Sequence, residues 1–426
     1  MLIKNGLVCL KEGFTNTDLL ISNGKIEAIG RNLRENGQTI DAAGKAILPG
    51  CIDIHVHARE PGNEEKEDWL TVSKAALNGG VTTIIDMPNN KEPIISVERL
   101  LKKKVAAQKS LVNHGFYAGI TGDNIDEAAG LARLANGFKI YISDTTNAQG
   151  IDWESLEYIF KALAPLGRPV VVHAEDNTMF SGDDTSLAQH SSRRSPKAEL
   201  SAVKKVIEFA KLYKTRLHIT HVSTCEAATY ILGLKNEHIT FDVTPHHLYF
   251  NIDNAADKGA FAKVNPPLRM AQDNDCLMRL LANGKIDIVA SDHAPHCMHE
   301  KNVEFRLAPA GISSLDTFLR SLLNLHHTDG IDVEKIVRCT AANPAKLFDM
   351  AGRGVIEEGA WADLAIVEIG KSQRVTRFDL FTKCGWNIFE GIELKGAVAG
   401  TIVNGNLSYW DDTFGEATGM EIPPAP

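Results

Sequence analysis

The sequence lacks any apolar run of about 18 residues, so it offers no membrane-spanning helix. It also lacks a basic excess: 45 lysines and arginines against 54 aspartates and glutamates leave a formal charge of −9. A nucleic-acid partner, which would want a basic face, is therefore not expected. The opening residues, MLIKNGLVCLKEG, lack the basic, apolar and cleavage regions of a signal peptide. Cysteine is sparse: seven residues, spread singly with no CxxC, predict reduced thiols and a cytoplasmic protein. No internal repeat and no low-complexity segment is found, and only EIPPAP at the end reads as a loose tail. What is there, 44% hydrophobic and 23% charged residues, is the composition of an ordinary soluble globular protein. A length of 426 residues suits one large barrel with a small appendage.

The two ends of the chain read as β structure. Strand-like runs such as MLIKNGLVCL and DLLISNGKIEAIG are broken by Asn-Gly turn signals at Asn5-Gly6 and Asn23-Gly24. Similar material returns in ADLAIVEI and GAVAGTIVNGNLSYW. These ends predict one small β-sandwich-like domain built from residues 1–48 and 355–426. Between them, residues 49–354 alternate eight short β-rich runs with helical stretches. The runs are CIDIHVH, TTIIDMP, HGFYAGI, GFKIYI, RPVVVHAE, RLHITHVS, ITFDVTPHH and IDIVASDHAP. This pattern predicts a (β/α)8 barrel, whose active sites sit at the C-terminal strand ends. A doubly wound sheet is disfavoured because no GxGxxG opens a helix after the first strand.

Costly polar residues interrupt the apolar runs at those ends. His55 and His57 end the first run, Lys139 lies in the fourth, His173 ends the fifth, His221 the sixth and Asp292 the eighth. In a strand, residues two apart share a side, so His55, His57 and Arg59 could face one space. A single histidine of this kind is usually a hydrogen-bonded core residue. Six polar groups left unpaired in a core would each cost about 1–3 kcal/mol, so packing alone does not explain them.

Imidazoles with a carboxylate suit zinc. His55, His57 and Asp292 could hold one ion, and His173 and His221 a second. Lys139 could be a plain salt-bridging lysine. Alternatively, with its pKa depressed, its neutral amine could react with carbon dioxide to give a carbamate bridging both metals. Two metals about 3.5–4 Å apart can hold a hydroxide at neutral pH. Asp292 could shuttle its proton to a leaving nitrogen, which implies hydrolysis of an amide-like bond.

The motifs DIHVHAREPG, GGVTTIIDMPNN, GFKIYI, VVVHAE, HITHVS, VTPHHL, VNPPLR and ASDHAPH resemble dihydroorotases of the long, two-domain type. These belong to the amidohydrolase superfamily, and the match runs in order from about residue 45 to about residue 365. The resemblance implies a binuclear zinc barrel that interconverts N-carbamoyl-L-aspartate and L-dihydroorotate in pyrimidine biosynthesis. It implies as metal ligands His55, His57, carbamylated Lys139, His173, His221 and Asp292, with Asp292 also the proton shuttle. Keeping lysine at 139, where some bacterial members have aspartate, resembles the dihydroorotase domain of the animal multienzyme protein. A homodimer is common for such enzymes.

The same resemblance assigns the substrate carboxylate to Arg59, Asn89 and His296, and ring contacts to Asn265 and to the loop of Pro309, Ala310 and Gly311. A guanidinium can clasp a carboxylate through paired hydrogen bonds. Arg59 could instead pair with Glu60 or Asp68, and Asn89 could be a turn residue. His246 and His247 read as support behind the ligands or as barrel packing. Thr145 and Thr146 fall where the family has a mobile loop, and Cys297 and His299 lie near the site in sequence. Ala58 stands where the family usually has leucine.

Dihydropyrimidinases, hydantoinases and allantoinases would use the same cage, but their rings lack the carboxylate that needs Arg59. A non-catalytic scaffold, such as an inactive subunit bound to aspartate transcarbamoylase, would be expected to lose ligands, whereas the full set stands here.

Overall fold

The computed structural model describes residues 1–34, 37–144, 146–147 and 150–425. Strands β1 to β5 (Leu2–Leu10, Gly13–Ser22, Lys25–Gly30, Thr39–Asp41, Ala46–Pro49) open the chain. Eight strands follow: β6 (Cys51–Val56), β7 (Val81–Asp86), β8 (Asn113–Gly119), β9 (Gly137–Tyr141), β10 (Val170–His173), β11 (Leu217–Ile219), β12 (Ile239–Val243) and β13 (Ile288–Val289). They pair in parallel and in sequence order. A bridge between Val56 and His293 joins the last strand to the first, with the His57 amide donating to the His293 carbonyl at 2.9 Å. The fold is a (β/α)8 barrel, and its strands are the eight runs singled out in the sequence. They are buried on both faces, which explains why they read as nearly continuous Val and Ile rather than as alternating strands.

The second sheet takes β1 to β5 together with β14 to β17 (Leu364–Arg374, Glu393–Val403, Asn406–Trp410, Thr413–Phe414). Its order is β17-β16-β15-β14-β5-β1-β2-β3, with β4 beside β1. Asn23-Gly24 and Asn404-Gly405, all at positive φ, make the hairpin turns β2–β3 and β15–β16. Asn5-Gly6 does not: β1 runs through it, and Asn5 at φ +60° absorbs a register shift against β2.

Two other expectations are corrected. The C-terminal residues are not wholly a loose tail: Ile422 is buried with Ile52, Ile54, Tyr117, Phe348 and Met350, and its amide donates to the His114 carbonyl at 2.8 Å. An apolar side chain closing this barrel cluster outweighs the prolines that follow it. Nor are all seven cysteines reduced. Cys225 and Cys276 form a disulfide with Cα atoms 5.6 Å apart, and the remaining five thiols are free. The pair joins two helices 51 residues apart in sequence, a juxtaposition that spacing alone does not reveal.

Candidate active site

Six polar side chains meet at the C-terminal ends of the barrel strands, all nearly or fully buried: His55, His57, Lys139, His173, His221 and Asp292. Between Asp53 and Val56 the pairing of β6 with β7 shifts register. The strict alternation expected of His55 and His57 is therefore broken by a bulge, a device that re-aims side chains beside active sites. Both imidazoles nonetheless converge on one carboxylate oxygen. Asp292 Oδ1 lies 3.2 Å from His55 Nε2 and 3.3 Å from His57 Nε2. On the other side, His173 Nδ1 lies 3.0 Å from His221 Nε2. Ligand atoms of His55, His221 and Asp292 all fall within 4.8 Å of one another.

The outer partners place the proton on two of these rings, His57 and His173. His57 Nδ1 lies 2.8 Å from Asn89 Oδ1, which accepts, so the lone pair of Nε2 is left facing Asp292. His173 Nε2 lies 2.7 Å from Glu175 Oε2, leaving its Nδ1 lone pair toward His221. Arg194 fixes Glu175 in turn, at 2.5 Å. His55 Nδ1 meets the Thr220 hydroxyl at 2.6 Å. Outer hydrogen bonds of this kind orient metal-binding imidazoles. Burial also drives His55, His57 and His221 well below the usual imidazole range, which keeps them neutral and able to donate lone pairs. Two acceptors this close repel unless a proton or a metal ion lies between them, and His57 and His173 both offer lone pairs to such an ion.

Lys139 is the sharpest anomaly. Its Nζ is fully buried and, among the described residues, has no hydrogen-bond partner. Burial pushes its pKa down, although the charges of Asp292 and Asp242 oppose the shift. Burial pushes the Asp292 carboxyl up, with Lys139 opposing. A buried amine biased toward its neutral form suits carbamylation, and the donor set of imidazoles and oxygen suits zinc. The residues present therefore fit a binuclear metal centre.

A small cavity of ≈ 30 Å³ opens onto this cluster. Arg59, Asn89, Asn265, Ala310 and Gly311 all line it, as do Thr146 and Tyr141. The Arg59 guanidinium is buried and donates from Nε to the Pro295 carbonyl at 3.0 Å. Among the described residues no carboxylate pairs with it: Glu60 is taken by Lys109 and Asp68 by Lys383. Lys301, fully buried, donates to the Pro309 and Gly311 carbonyls at 2.9 Å each and so holds their loop. Asn265 accepts from His190 at 2.9 Å.

Other expected positions fall differently. His296 does not line the cavity; its Nε2 lies behind Arg59, 3.4 Å from Nη2. Asn89 is already engaged, accepting from His57 and donating to the Thr146 carbonyl at 2.8 Å. His247 bonds Thr244 and the Pro266 carbonyl, whereas neither nitrogen of His246 has a partner among the described residues. Cys297 donates to the Glu65 carbonyl at 3.4 Å, and neither it nor His299 lines the cavity. Thr145 lies outside the described residues.

Sequence reasoning missed Tyr141, whose buried hydroxyl has no partner among the described residues although the residue borders the cavity. Its place two residues beyond Lys139 on one strand was the available signal. It also missed Glu175 with Arg194 and the buried Asp86 and Asp242, while Asp53 stands out in sequence as a costly residue beside His55 and His57 but with no role to read from it.

Residues 46–408 match the amidohydrolase family. A dihydroorotase of Methanosarcina acetivorans is 36% identical, the alignment covering 98% of this chain and 93% of that protein. A dihydroorotase of Halobacterium salinarum is 34% identical, covering 95% and 98%. An allantoinase of Bacillus velezensis is also 34% identical, covering 96% and 94%. Among solved structures, an L-hydantoinase (dihydropyrimidinase) from Arthrobacter aurescens superposes with a TM-score of 0.94 at 27% identity over 99% of each chain.

Proposed function

The chain belongs to the amidohydrolase family, and we propose that within it this enzyme is a dihydroorotase, catalysing reversible opening of L-dihydroorotate to N-carbamoyl-L-aspartate. The observation that carries this reading is Arg59: a buried guanidinium on the cavity wall, beside the cage, with no carboxylate partner among the described residues. A ring bearing a carboxylate supplies that partner, whereas allantoin, hydantoin and dihydrouracil do not. His296 supports Arg59 from behind, and Asn265, Ala310 and Gly311 face the ring. Asn89 serves the site by orienting His57 and bordering the carboxylate position.

In this reading residues 49–354 carry the catalytic unit. His55, His57, His173, His221, Asp292 and the carbamate of Lys139 would hold two zinc ions. Bound there, the zinc ions would supply Lewis acidity for water and for the amide carbonyl. The neutral Lys139 amine attacks carbon dioxide, forming the N–C bond and releasing one proton. Arg59 fixes the substrate carboxylate and so presents the amide carbonyl to the cage. Asp292 takes the proton of the attacking water and delivers it to the ring nitrogen as the C–N bond breaks. Ring closure runs the same path backwards and needs Asp292 protonated. Its rate is expected to rise as pH falls, and a cyclisation rate that stayed level as pH rose would remove Asp292 from this role.

The test is turnover of L-dihydroorotate by protein made with zinc and bicarbonate, run beside dihydrouracil, hydantoin and allantoin, with metal counted on the same sample. Selective dihydroorotate turnover with about two zinc ions per chain supports the reading. Zinc with turnover of the uncharged rings alone would sink the substrate, and allantoin would then be the first alternative, given the allantoinase among the relatives. A homodimer belongs to the same reading. Light scattering at twice the chain mass would support the dimer.

A further inference from the structure

Three non-glycine residues at the barrel mouth hold a left-handed backbone: Arg59 at φ +65°, His221 at φ +43° and Asp292 at φ +44°. A side chain with a Cβ crowds its own backbone there, so the surrounding structure has to impose the conformation. These are the guanidinium that reads the substrate and two ligands of the cage.

Each bend has a buried aspartate beside it, and in each case that aspartate comes from the next strand around the barrel. Asp86 of β7 accepts the Ala58 amide at 2.7 Å, one residue before Arg59 and just past β6. Asp242 of β12 accepts the amide of His221 itself at 2.6 Å, just past β11. Asp53 of β6 accepts the Ser291 amide at 3.1 Å, one residue before Asp292 and across the seam where β13 meets β6. All three amides lie beyond their strand ends, where no ladder continues to hold them. The aspartates are themselves anchored. Asp86 pairs with the fully buried Lys103, which also donates to Asn90 at 2.9 Å. Asn90 in turn donates to the Pro61 carbonyl at 3.2 Å, so the Arg59 loop is held on both flanks. Asp242 meets His218 Nε2 at 2.8 Å, and Asp53 accepts a second amide from His55 at 3.1 Å.

We propose that Asp53, Asp86 and Asp242 form a collar of positioning residues that sets the left-handed backbone at Asp292, Arg59 and His221. The collar aims the cage and the carboxylate reader without touching substrate or metal. It deepens the dihydroorotase reading and rests on it for the role of Arg59.

Alanine and asparagine variants at the three positions separate this from general stabilisation, because asparagine keeps an accepting oxygen and alanine removes it. Asp86→Ala is expected to raise KM for dihydroorotate by about tenfold or more, with a smaller change in kcat and an unchanged zinc count. Asp242→Ala and Asp53→Ala are expected to bind less zinc. Amide hydrogen exchange, read by mass spectrometry, should quicken at Ala58, His221 or Ser291 according to the aspartate removed. The asparagine variants should recover most of each loss. Variants whose zinc content, KM and local exchange stay at wild-type values would overturn the collar. So would alanine variants that lose all three in parallel with thermal stability, or asparagine variants as impaired as alanine ones. If an alanine variant does not fold, exchange in the wild type decides: the three amides should be protected, and fast exchange would overturn the collar. Wild-type enzyme that holds zinc but ignores dihydroorotate would sink the substrate reading alone, and the zinc and exchange readings at Asp53 and Asp242 would still judge the collar.

Discussion

At the scale of single residues, the site is defined by groups whose bonding is incomplete. Arg59 lacks a carboxylate partner among the described residues, and losing a charge-assisted clasp costs about 1.5–3 kcal/mol. Arg59→Met is therefore expected to lower kcat/KM for dihydroorotate about 10- to 100-fold, and steady-state kinetics beside dihydrouracil should show the larger loss on the charged ring. Tyr141 is a second case: its hydroxyl is buried beside the cavity without a partner among the described residues. If it donates to bound substrate, Tyr141→Phe should raise KM while leaving the melting temperature level or slightly higher, because the variant buries no unpaired hydroxyl. A lowered melting temperature with unchanged KM would make Tyr141 a structural residue instead.

At the scale of elements, the loops above the barrel are tied together by charge. Asp184 accepts from His190 at 2.8 Å and pairs with Lys263 at 3.1 Å, while His190 reaches Asn265 at the cavity wall. Burial raises the Asp184 pKa, but the hydrogen bond and charge of His190, with those of Lys263, outweigh it and bring the carboxyl down to about 2. A carboxyl depressed on folding adds stability that is present above its unfolded value of about 3.9 and is lost as pH falls toward 2. Asp184→Asn should accordingly be less stable than wild type at pH 7, and the gap in urea midpoint should close between about pH 4 and pH 2. A gap that persisted at pH 2 would locate the effect in packing. The partial exposure of Asp184 keeps the difference small.

At the scale of the whole molecule, two cross-links bear on stability. Disulfide Cys225–Cys276 predicts five titratable thiols in denaturant without reductant and seven with it. Seven in both conditions would show that the bond is absent in solution. The metal centre, if two zinc ions join several strand ends, links folding to metal binding. On the proposed reading, chelation should lower the melting temperature and free Lys139 of the proposed carbamate, which labelling with ¹³C-bicarbonate would report as loss of one carbamate signal per chain.

The barrel and its polar strand ends were legible in the sequence because both are local patterns: an apolar run of a few residues is a strand, and a histidine inside it is conspicuous wherever it lies. His55, His57, Lys139, His173, His221 and Asp292 stand out on that ground alone, as does Arg59 two residues past HxH. What decides their geometry is not local. The β6 bulge, the left-handed bends at Arg59, His221 and Asp292, and the aspartates beside them depend on contacts between neighbouring strands. The disulfide and the seating of Ile422 depend on residues brought together only by closure of the barrel and the packing of its helices. Sequence by itself determined which chemical groups are available. Only the tertiary structure decided which lone pairs face each other and which charges stay unpaired, because those depend on distances between segments far apart along the chain.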